Sequence, residues 1–241
     1  MTEYLHILVF AAHPDDAELG CAGTILKHVA LGQKVGIIDL TRGELGTRGT
    51  AEIRDSEAEA AGKILGLSVR ENMEFRDGFF NIDEAHKLAL IAKIRQYRPE
   101  IVIANALYDR HTDHGRGGTL VSEACFLSGL AKIETLGPDG SAQQAWRPKV
   151  VYRYIQDRHI TPDFVIDITE VWEKKKESIL AYGSQFFNPN STEPETYISG
   201  SNFLKFIEGR AMEYGHAIGV TYGEGFNVER KVGVNNLDCL I

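Results

Sequence analysis

Apolar runs alternate with amphipathic segments along the chain, and this alternation predicts both the elements and their order. The apolar runs predict strands at residues 5–12, 34–40, 101–104, 149–155 and 163–168. Helical spacing of apolar residues predicts helices at 23–31, 52–65, 83–97, 119–133, 169–182 and 202–214. Strands that are apolar throughout are covered on both faces, and strands that alternate with helices form right-handed βαβ units. The predicted fold is therefore α/β: a Rossmann-like, doubly wound, mainly parallel sheet with helices on both faces.

The pattern also assigns faces and loops. In the second helix, Ile53, Ala60, Ile64 and Leu65 are predicted to point inward. The charged run "EKKKE" at 173–177 is predicted to form an exposed helix face. Residues 136–147 and 186–201 are predicted to be long loops, and long loops in a compact domain often line a site.

Composition places the chain among globular proteins with a substantial core, since 43% of its 241 residues are hydrophobic and 25% are charged. We expect one domain over residues 1–241. A net charge of −8 argues against nucleic acid as a partner, because phosphates attract clustered Lys and Arg.

No apolar run approaches the ~20 residues that span a bilayer, and no secretory signal pattern is present. We therefore expect a cytoplasmic protein with no membrane partner. The three widely spaced cysteines contain no Cys-x-x-Cys pair, which argues against a zinc knuckle or a disulfide framework.

Charged and metal-binding residue types cluster directly after the first strand, in "AAHPDDAELG" at 11–20. A helix start would explain Pro14 and one acidic residue, because both suit the first turn of a helix. It does not explain His13 beside the adjacent carboxylates of Asp15 and Asp16. This cluster therefore points to a site.

A second cluster, "HTDHGRGG" at 111–118, follows the strand at 101–104. Ligands of open parallel sheets bind beyond the carboxyl ends of the strands, so neighbouring strands would bring both clusters into one cleft. A hydrolytic zinc site takes three nitrogen or oxygen ligands and keeps one position open. His13, Asp16 and one or both of His111 and His114 offer such ligands. Asp15 would then be free to act as a general base.

The segment "TRGELGTRGT" at 41–50 follows the second strand, and its glycines do not form the Gly-x-Gly-x-x-Gly fingerprint of dinucleotide sites. A loop at the carboxyl edge of the sheet is the better interpretation. It leads to Arg54, which could reach an anionic or hydroxyl-rich ligand. The alternative is an Arg54–Glu57 pair on the helix surface, at three-residue spacing.

The motifs "AHPDDAELGCAGT", "TRGELGTRGTAEIRDSEAEAAGKILG" and "HTDHGRGG" resemble those of the LmbE/PIG-L-like zinc-dependent N-deacetylases. The resemblance covers most of the chain, including "DITEVWEKKKESILAYGSQF". It is greatest to the branch that deacetylates N-acetylglucosaminyl-malate in bacillithiol biosynthesis.

The resemblance implies roles for individual residues. It makes His13, Asp16 and His114 the ligands of one zinc ion per chain, with Fe²⁺ or another divalent metal as the cellular alternative. It makes Asp15 the general base, and a protonated His111 the group that stabilises the oxyanion. Asp113 is implied to orient His111. Arg54 and Arg110 are implied to bind the substrate, and a homo-oligomer, either a trimer or a hexamer, is expected.

The predicted function is therefore hydrolysis of the N-acetyl group of an N-acetylglucosamine derivative, most directly N-acetylglucosaminyl-malate. Other N-acetylglucosamine conjugates, free N-acetylglucosamine and chitooligosaccharides are alternative substrates. A non-catalytic sugar- or metal-binding protein is a further alternative, although the spare carboxylate of Asp15 argues against it. The missing glycine fingerprint argues against a nucleotide-dependent oxidoreductase.

Overall fold

The computed structural model describes residues 4–240, which form a seven-stranded sheet and six α-helices. The strands are β1 (Ile7–Ala11), β2 (Val35–Thr41), β3 (Val69–Phe75), β4 (Ile101–Asn105), β5 (Val150–Tyr154), β6 (Phe164–Asp167) and β7 (Gly223–Val228). The helices are α1 (Asp16–Ala30), α2 (Ala51–Leu65), α3 (Glu84–Tyr97), α4 (Thr112–Leu127), α5 (Trp172–Leu180) and α6 (Phe203–Ala217). Short 3-10 turns occupy Thr169–Val171 and Leu237–Leu240.

The strand order is β3-β2-β1-β4-β5-β7-β6. All pairings from β3 to β5 are parallel, whereas β7 runs antiparallel to both β5 and β6. In register, Ile7 of β1 pairs with Val35 of β2 and with Ile101 of β4. The chain thus leaves β1 toward β2 on one side and returns at β4 on the other, which opens a crevice at the carboxyl ends of β1 and β4.

The two faces of the sheet are covered by different helices. Leu8 and Phe10 of β1 lie in a buried cluster with side chains of α3 and α4. Ile7 and Val9 of the same strand lie in a second cluster with α1. Since successive side chains of a strand point to opposite faces, the sheet has helices on both sides. A third cluster joins α2, α5 and α6 around Trp172. The predicted mainly parallel α/β fold is confirmed.

Several details differ from the prediction. Helices α1 and α4 begin earlier than predicted, at Asp16 and Thr112, because the two charged motifs form their first turns. The prediction omitted β3 and β7. In α2, Leu65 is buried as predicted and Ile64 is half-buried, but Ile53 and Ala60 are exposed, and Arg54, Ala58 and Ala61 turn inward instead. In α5, Lys175 is buried, so "EKKKE" is not an exposed face throughout.

None of the helices within residues 4–240 combines the length and the apolar composition that crossing a membrane requires.

Candidate metal centre and active-site cleft

The two charged motifs meet at one edge of the sheet, as predicted. His13 lies between β1 and α1, and His111 is the N-cap residue of α4, which follows β4. Because β1 and β4 are adjacent, the ring centroids of His13 and His111 lie only 4.6 Å apart. The ring centroid of His114 lies 5.3 Å from that of His111.

Asp16 lies between two imidazoles. Its Oδ2 is 3.5 Å from Nδ1 of His13, and its Oδ1 is 3.2 Å from Nε2 of His114. Ligand atoms that surround a tetrahedral zinc ion at ~2.0–2.2 Å lie roughly 3.3–3.6 Å from one another, so this donor set fits such an ion. Imidazole nitrogens also suit iron. One nitrogen each from His13, His111 and His114 also lie within 4.8 Å of one another. These residues could hold a divalent metal ion.

In His13 and His114, the ring nitrogen that lies farther from Asp16 faces another carboxylate. Nε2 of His13 is 3.1 Å from Asp77 Oδ1 and 3.5 Å from Asp113 Oδ2. Nδ1 of His114 is 2.7 Å from Asp109 Oδ2. Metal-binding histidines commonly donate their other N–H to a carboxylate, which fixes the ring and leaves the near nitrogen for the metal. Asp77 and Asp109 were not predicted.

Asp16 is held in place by two amides that the sequence analysis also missed. Asn105 ends β4 and donates from Nδ2 to Asp16 Oδ2 at 3.1 Å, and its Oδ1 accepts from the backbone N–H of Ala12 at 2.9 Å. Gln156 follows β5 and donates from Nε2 to Asp16 Oδ1 at 2.5 Å. The backbone N–H of His13 also donates to Asp16 Oδ2, at 3.0 Å. Three adjacent strands therefore fix one carboxylate.

Electrostatics at this centre favour positive charge. Burial by itself would lower the pKa of His114, but Asp16 and Asp109 outweigh it and raise the pKa to about 9. Asp77 and Asp113 have pKa values below their ordinary range, because the hydrogen bonds and charges around them outweigh the effect of burial. The same carboxylates would stabilise a divalent cation, and binding of that cation would displace the protons from the imidazoles.

Asp15 sits at the mouth of the centre in an unusual conformation. It immediately precedes α1 with φ of 118°, a value that residues other than glycine rarely adopt. Its exposed fraction is only 5%. Strain of this kind is found at functional sites, where the surroundings enforce it. Burial raises the pKa of the Asp15 carboxyl to about 7, against the opposing charge of Arg54, whose Nη1 lies 3.8 Å from Asp15 Oδ2.

Arg54, Arg110 and His111 line the same cleft, which encloses about 360 Å³. Arg54 is buried and lines it, so the alternative of a surface Arg54–Glu57 pair is wrong. Gly43 allows this approach, because a Cβ there would lie 2.5 Å from Arg54 Nη1. Arg110 also lines the cleft, with its guanidinium over the Tyr197 ring at 4.3 Å and its Nε 3.3 Å from Asp157.

His111 and Asp113 are arranged differently from what the resemblance implies. The backbone N–H of Asp113 donates to His111 Nδ1 at 3.3 Å. The Asp113 carboxylate instead accepts from the backbone N–H of Gly78 at 2.8 Å and from Arg116 at 2.6 Å, and faces His13. Burial, followed by the charges of His13 and His114, lowers the pKa of His111, which favours the neutral imidazole.

Comparison with known proteins agrees with this geometry. The sequence profile of the family "PIG-L: GlcNAc-PI de-N-acetylase" matches residues 8–125. A crystal structure of a conserved protein from Thermus thermophilus is 34% identical, covers 95% of this chain and 97% of its own, and superposes with a TM-score of 0.85.

Relatives with assigned activities include two deacetylases and a hydratase. The diacetylchitobiose deacetylase of Thermococcus kodakarensis is 28% identical over 91% of this chain and 81% of its own length. The probable N-acetyl-α-D-glucosaminyl L-malate deacetylase 2 of Bacillus anthracis is 29% identical over 75% of this chain and 81% of its own. The 4-oxalmesaconate hydratase of Pseudomonas putida is 27% identical over 74% and 73%. The chain is an enzyme of the PIG-L family.

Proposed function

We propose that this enzyme hydrolyses the N-acetyl group of an N-acetylglucosamine derivative with the help of one zinc ion. The observation that carries this proposal is the convergence of His13, Asp16 and His114 on one point, with the spare carboxylate of Asp15 beside them at the end of a cleft. A closed structural metal site has no use for such a carboxylate. The deacetylase names of two relatives support the reaction type.

His13, Asp16 and His114 would hold the metal, which when bound supplies a Lewis acid that polarises the amide carbonyl and acidifies water. Asp15 would accept the proton of the attacking water and pass it to the leaving amine. A base works best with a pKa near the working pH, and burial places that of Asp15 at about 7. Arg54 orients the Asp15 carboxylate and carries a positive charge beside it.

His111 would stabilise the oxyanion of the tetrahedral intermediate in its neutral form rather than its protonated form. Its Nδ1 accepts a backbone N–H, so the neutral ring carries its proton on Nε2. An N–H that faces the cleft is the donor that an oxyanion needs. Asp113 would then act mainly on the other side of the centre, where it lies against His13.

We further propose that the substrate carries a second group beyond the glucosamine ring, with malate as the first candidate. Arg54 and Arg110 supply cations in a cleft of a protein with a net charge of −8. The relative from Bacillus anthracis is named for a malate conjugate, and the one from Thermococcus kodakarensis for a disaccharide. Both substrates therefore belong in one test.

The deciding experiment measures release of free amine and acetate from N-acetylglucosaminyl-malate, diacetylchitobiose and N-acetylglucosamine, before and after the metal is removed with a chelator. Metal-dependent release from at least one substrate supports the proposal. Binding without turnover would leave the non-catalytic alternative instead.

The malate carboxylate has its own test in Arg110→Ala. Loss of charged hydrogen bonds of about 1.5–3 kcal/mol should lower kcat/KM for the malate conjugate roughly 10- to 100-fold and leave N-acetylglucosamine nearly unchanged. Arg158→Ala is the matched control, because Arg158 also stacks on an aromatic ring, Tyr108, on the loops at this end of the sheet. An equal loss on both substrates would reject malate recognition by Arg110.

The relative from Pseudomonas putida makes hydration of a carbon–carbon double bond a second candidate. Hydration releases neither acetate nor amine. Loss of the ultraviolet absorbance of an unsaturated dicarboxylate, without deacetylation of any sugar substrate, would select it.

Three further properties are part of the proposal: a homo-oligomer, either a trimer or a hexamer, a single domain over residues 1–241, and a cytoplasmic location. Light scattering of the purified protein measures the first, cooperative unfolding the second, and cell fractionation the third.

A further inference from the structure

One wall of the cleft is built from two loops that are distant in sequence. The glycine loop, residues 42–50, contributes Gly43, Leu45, Gly46 and Thr47. The long loop, residues 181–202 between α5 and α6, contributes Gln185 and the tripeptide 196–198. The shape of this wall depends on what holds the two loops together.

Arg48 of the glycine loop is 5% exposed and extends into the long loop. Its Nη2 donates to Ser191 Oγ at 2.6 Å, and its Nη1 donates to the Phe186 carbonyl at 3.4 Å. Its Nε lies 3.6 Å from Glu193 Oε2. In return, Gln185 Nε2 donates to the carbonyl of Arg48 at 2.9 Å. One side chain thus contacts the long loop at three separate residues.

The residues beside Arg48 strengthen the same junction. The backbone N–H of Gly49 donates to Glu193 Oε1 at 2.8 Å, so Glu193 engages two consecutive residues of the glycine loop. Gly49 has φ of +69°, and a Cβ there would lie 2.9 Å from Ser184. Ser184 is in turn fixed by Glu57 of α2, whose carboxylate accepts from its N–H and its hydroxyl, both at 2.7 Å.

We propose that Arg48 is a positioning residue that clamps the long loop to the glycine loop and thereby sets the substrate-binding wall formed by residues 196–198. Arg48 stands behind this wall, whereas its neighbour Thr47 faces the cleft. The guanidinium suits this task because its donors point in several fixed directions, which a lysine ammonium on a flexible stem does not reproduce. Arg48 therefore governs how tightly the substrate is held and not the metal or the proton transfer. This inference deepens the proposed function and rests on it for its kinetic part.

The test compares Arg48→Met with Arg42→Met. Met is unbranched and replaces the aliphatic part of the arginine side chain, and it removes the hydrogen-bond donors. Arg42 lies on the same loop but pairs with Asp55 and Glu52 of α2, at 2.5 and 3.4 Å, and so controls for loss of an arginine from this loop. Hydrogen–deuterium exchange is read on peptides from 184–199, and kcat and KM are measured with diacetylchitobiose and N-acetylglucosamine.

In Arg48→Met, exchange of 184–199 should accelerate about tenfold or more, which corresponds to ~1.4 kcal/mol of lost closure free energy. KM should rise about tenfold or more with kcat within about twofold, more for the disaccharide than for the monosaccharide, since the larger substrate needs more of the wall. Bound metal should equal that of the unsubstituted enzyme, Arg42→Met should match that enzyme in every measurement, and Arg48→Lys should fall between.

Unchanged exchange in 184–199, or a fall in kcat with KM unchanged, would overturn the clamp. If Arg48→Met fails to fold, Glu193→Gln tests the same junction from its exposed side and should accelerate exchange of the same peptides. Accelerated exchange in an enzyme that deacetylates none of the substrates would retain the clamp while rejecting the proposed function, so the two failures are distinguishable.

Discussion

Two clusters of buried charges lie against the two halves of α1, and they differ in whether they border the active-site cleft. The first surrounds the start of the helix, where Asp15 and Asp16 face His13 and His114. The second lies at a break in the same helix, where Cys21 has φ of −148° and ψ of 19°, and consists of the ion pair of Lys175 and Glu224.

The second cluster closes on itself. Glu224 accepts from the backbone N–H groups of Gly23 and Thr24 at 2.8 and 2.7 Å, and from the Thr24 hydroxyl at 2.6 Å. Lys175 Nζ donates to the Leu19 carbonyl at 2.9 Å and to Glu224 at 2.6 Å. The pair thus supplies partners for backbone groups on both sides of the break, and each side chain is 3% exposed.

The first cluster is open to the cleft, and we call it the open cluster. Its near imidazole nitrogens and the oxygens of Asp16 converge on one point at the end of a cleft, and Asp15 borders the same cleft. A buried ion pair whose hydrogen bonds are all used inside the protein supports a fold. Buried donors that converge on a space accessible to a ligand indicate chemistry. Each prediction below removes a member of one cluster and asks whether metal, turnover or stability is lost.

Removal of a proposed metal ligand should have the largest effect. His13→Ala and His114→Ala should each lose the bound metal and all measurable activity, because a centre with three protein ligands has none to spare. Metal content per folded chain is read by elemental analysis. His216→Ala is the control, since His216 is exposed on α6. Full metal content in either ligand variant would remove that residue from the centre.

Asp15→Asn should separate turnover from metal binding. We expect the metal to stay and kcat to fall about 10²- to 10⁴-fold, the usual contribution of a positioned proton acceptor. The variant should fold, since Asn tolerates positive φ better than most residues. Near-normal kcat with metal bound would contradict the role of Asp15, and loss of the metal would instead make Asp15 a ligand.

Lys175→Met, in the closed cluster, should cost stability and leave the metal. Breaking a buried ion pair leaves one charge uncompensated and typically costs about 3–5 kcal/mol. The free energy of unfolding in denaturant measures this, with metal content per folded chain as the second reading. Lys176→Met is the matched control, because the neighbouring Lys176 pairs with the exposed Glu173. A Lys175→Met/Glu224→Gln double variant should recover part of the loss, and loss of metal from folded Lys175→Met would place this pair in the site.

The same contrast explains what the sequence could predict of the fold. Strands such as β1 and β4 were predicted because their apolar runs need only burial. The sequence "VRENMEF" of β3 has three charged residues among seven, and Arg70 is accommodated because Asp39 and Glu18 lie next to it. In "GEGFNV", the sequence of β7, Glu224 is buried only because Lys175 is present. Pairings between distant segments leave no local pattern, so both strands were missed.

The candidate site divides in the same way. Its two motifs contain more adjacent polar residues than a helix start requires. This excess allowed His13, Asp16 and His114 to be predicted from the sequence. Asp77 and Gln156 follow β3 and β5 without a neighbouring histidine or paired carboxylates to mark them as a metal-binding motif, and only the strand order brings them to the centre. Asn105 and Asp109 did carry a signal, since Asn105 follows directly on the predicted apolar run at 101–104 and Asp109 lies two residues before His111.

Of the four predictions, the one for Asp109→Asn has the smallest expected effect. It tests a single contact of the open cluster, the one between Asp109 and His114. Asp109 Oδ1 accepts from the backbone N–H groups of Arg110 and Arg158, both at 2.8 Å, and an Asn oxygen can keep both bonds. The substitution replaces Asp109 Oδ2, which faces Nδ1 of His114, with an uncharged amide group. Removal of such a partner typically weakens metal binding about 10- to 100-fold.

Competition with a chelator of known affinity measures this loss of metal affinity without any substrate. The exposed Asp139, replaced by Asn, is the control. If Asp109→Asn binds metal as tightly as the unsubstituted protein, the Asp109–His114 contact belongs with the closed, structural hydrogen bonds. A loss within the expected range would place it in the open cluster, because only there does the orientation of an imidazole determine how a metal is held.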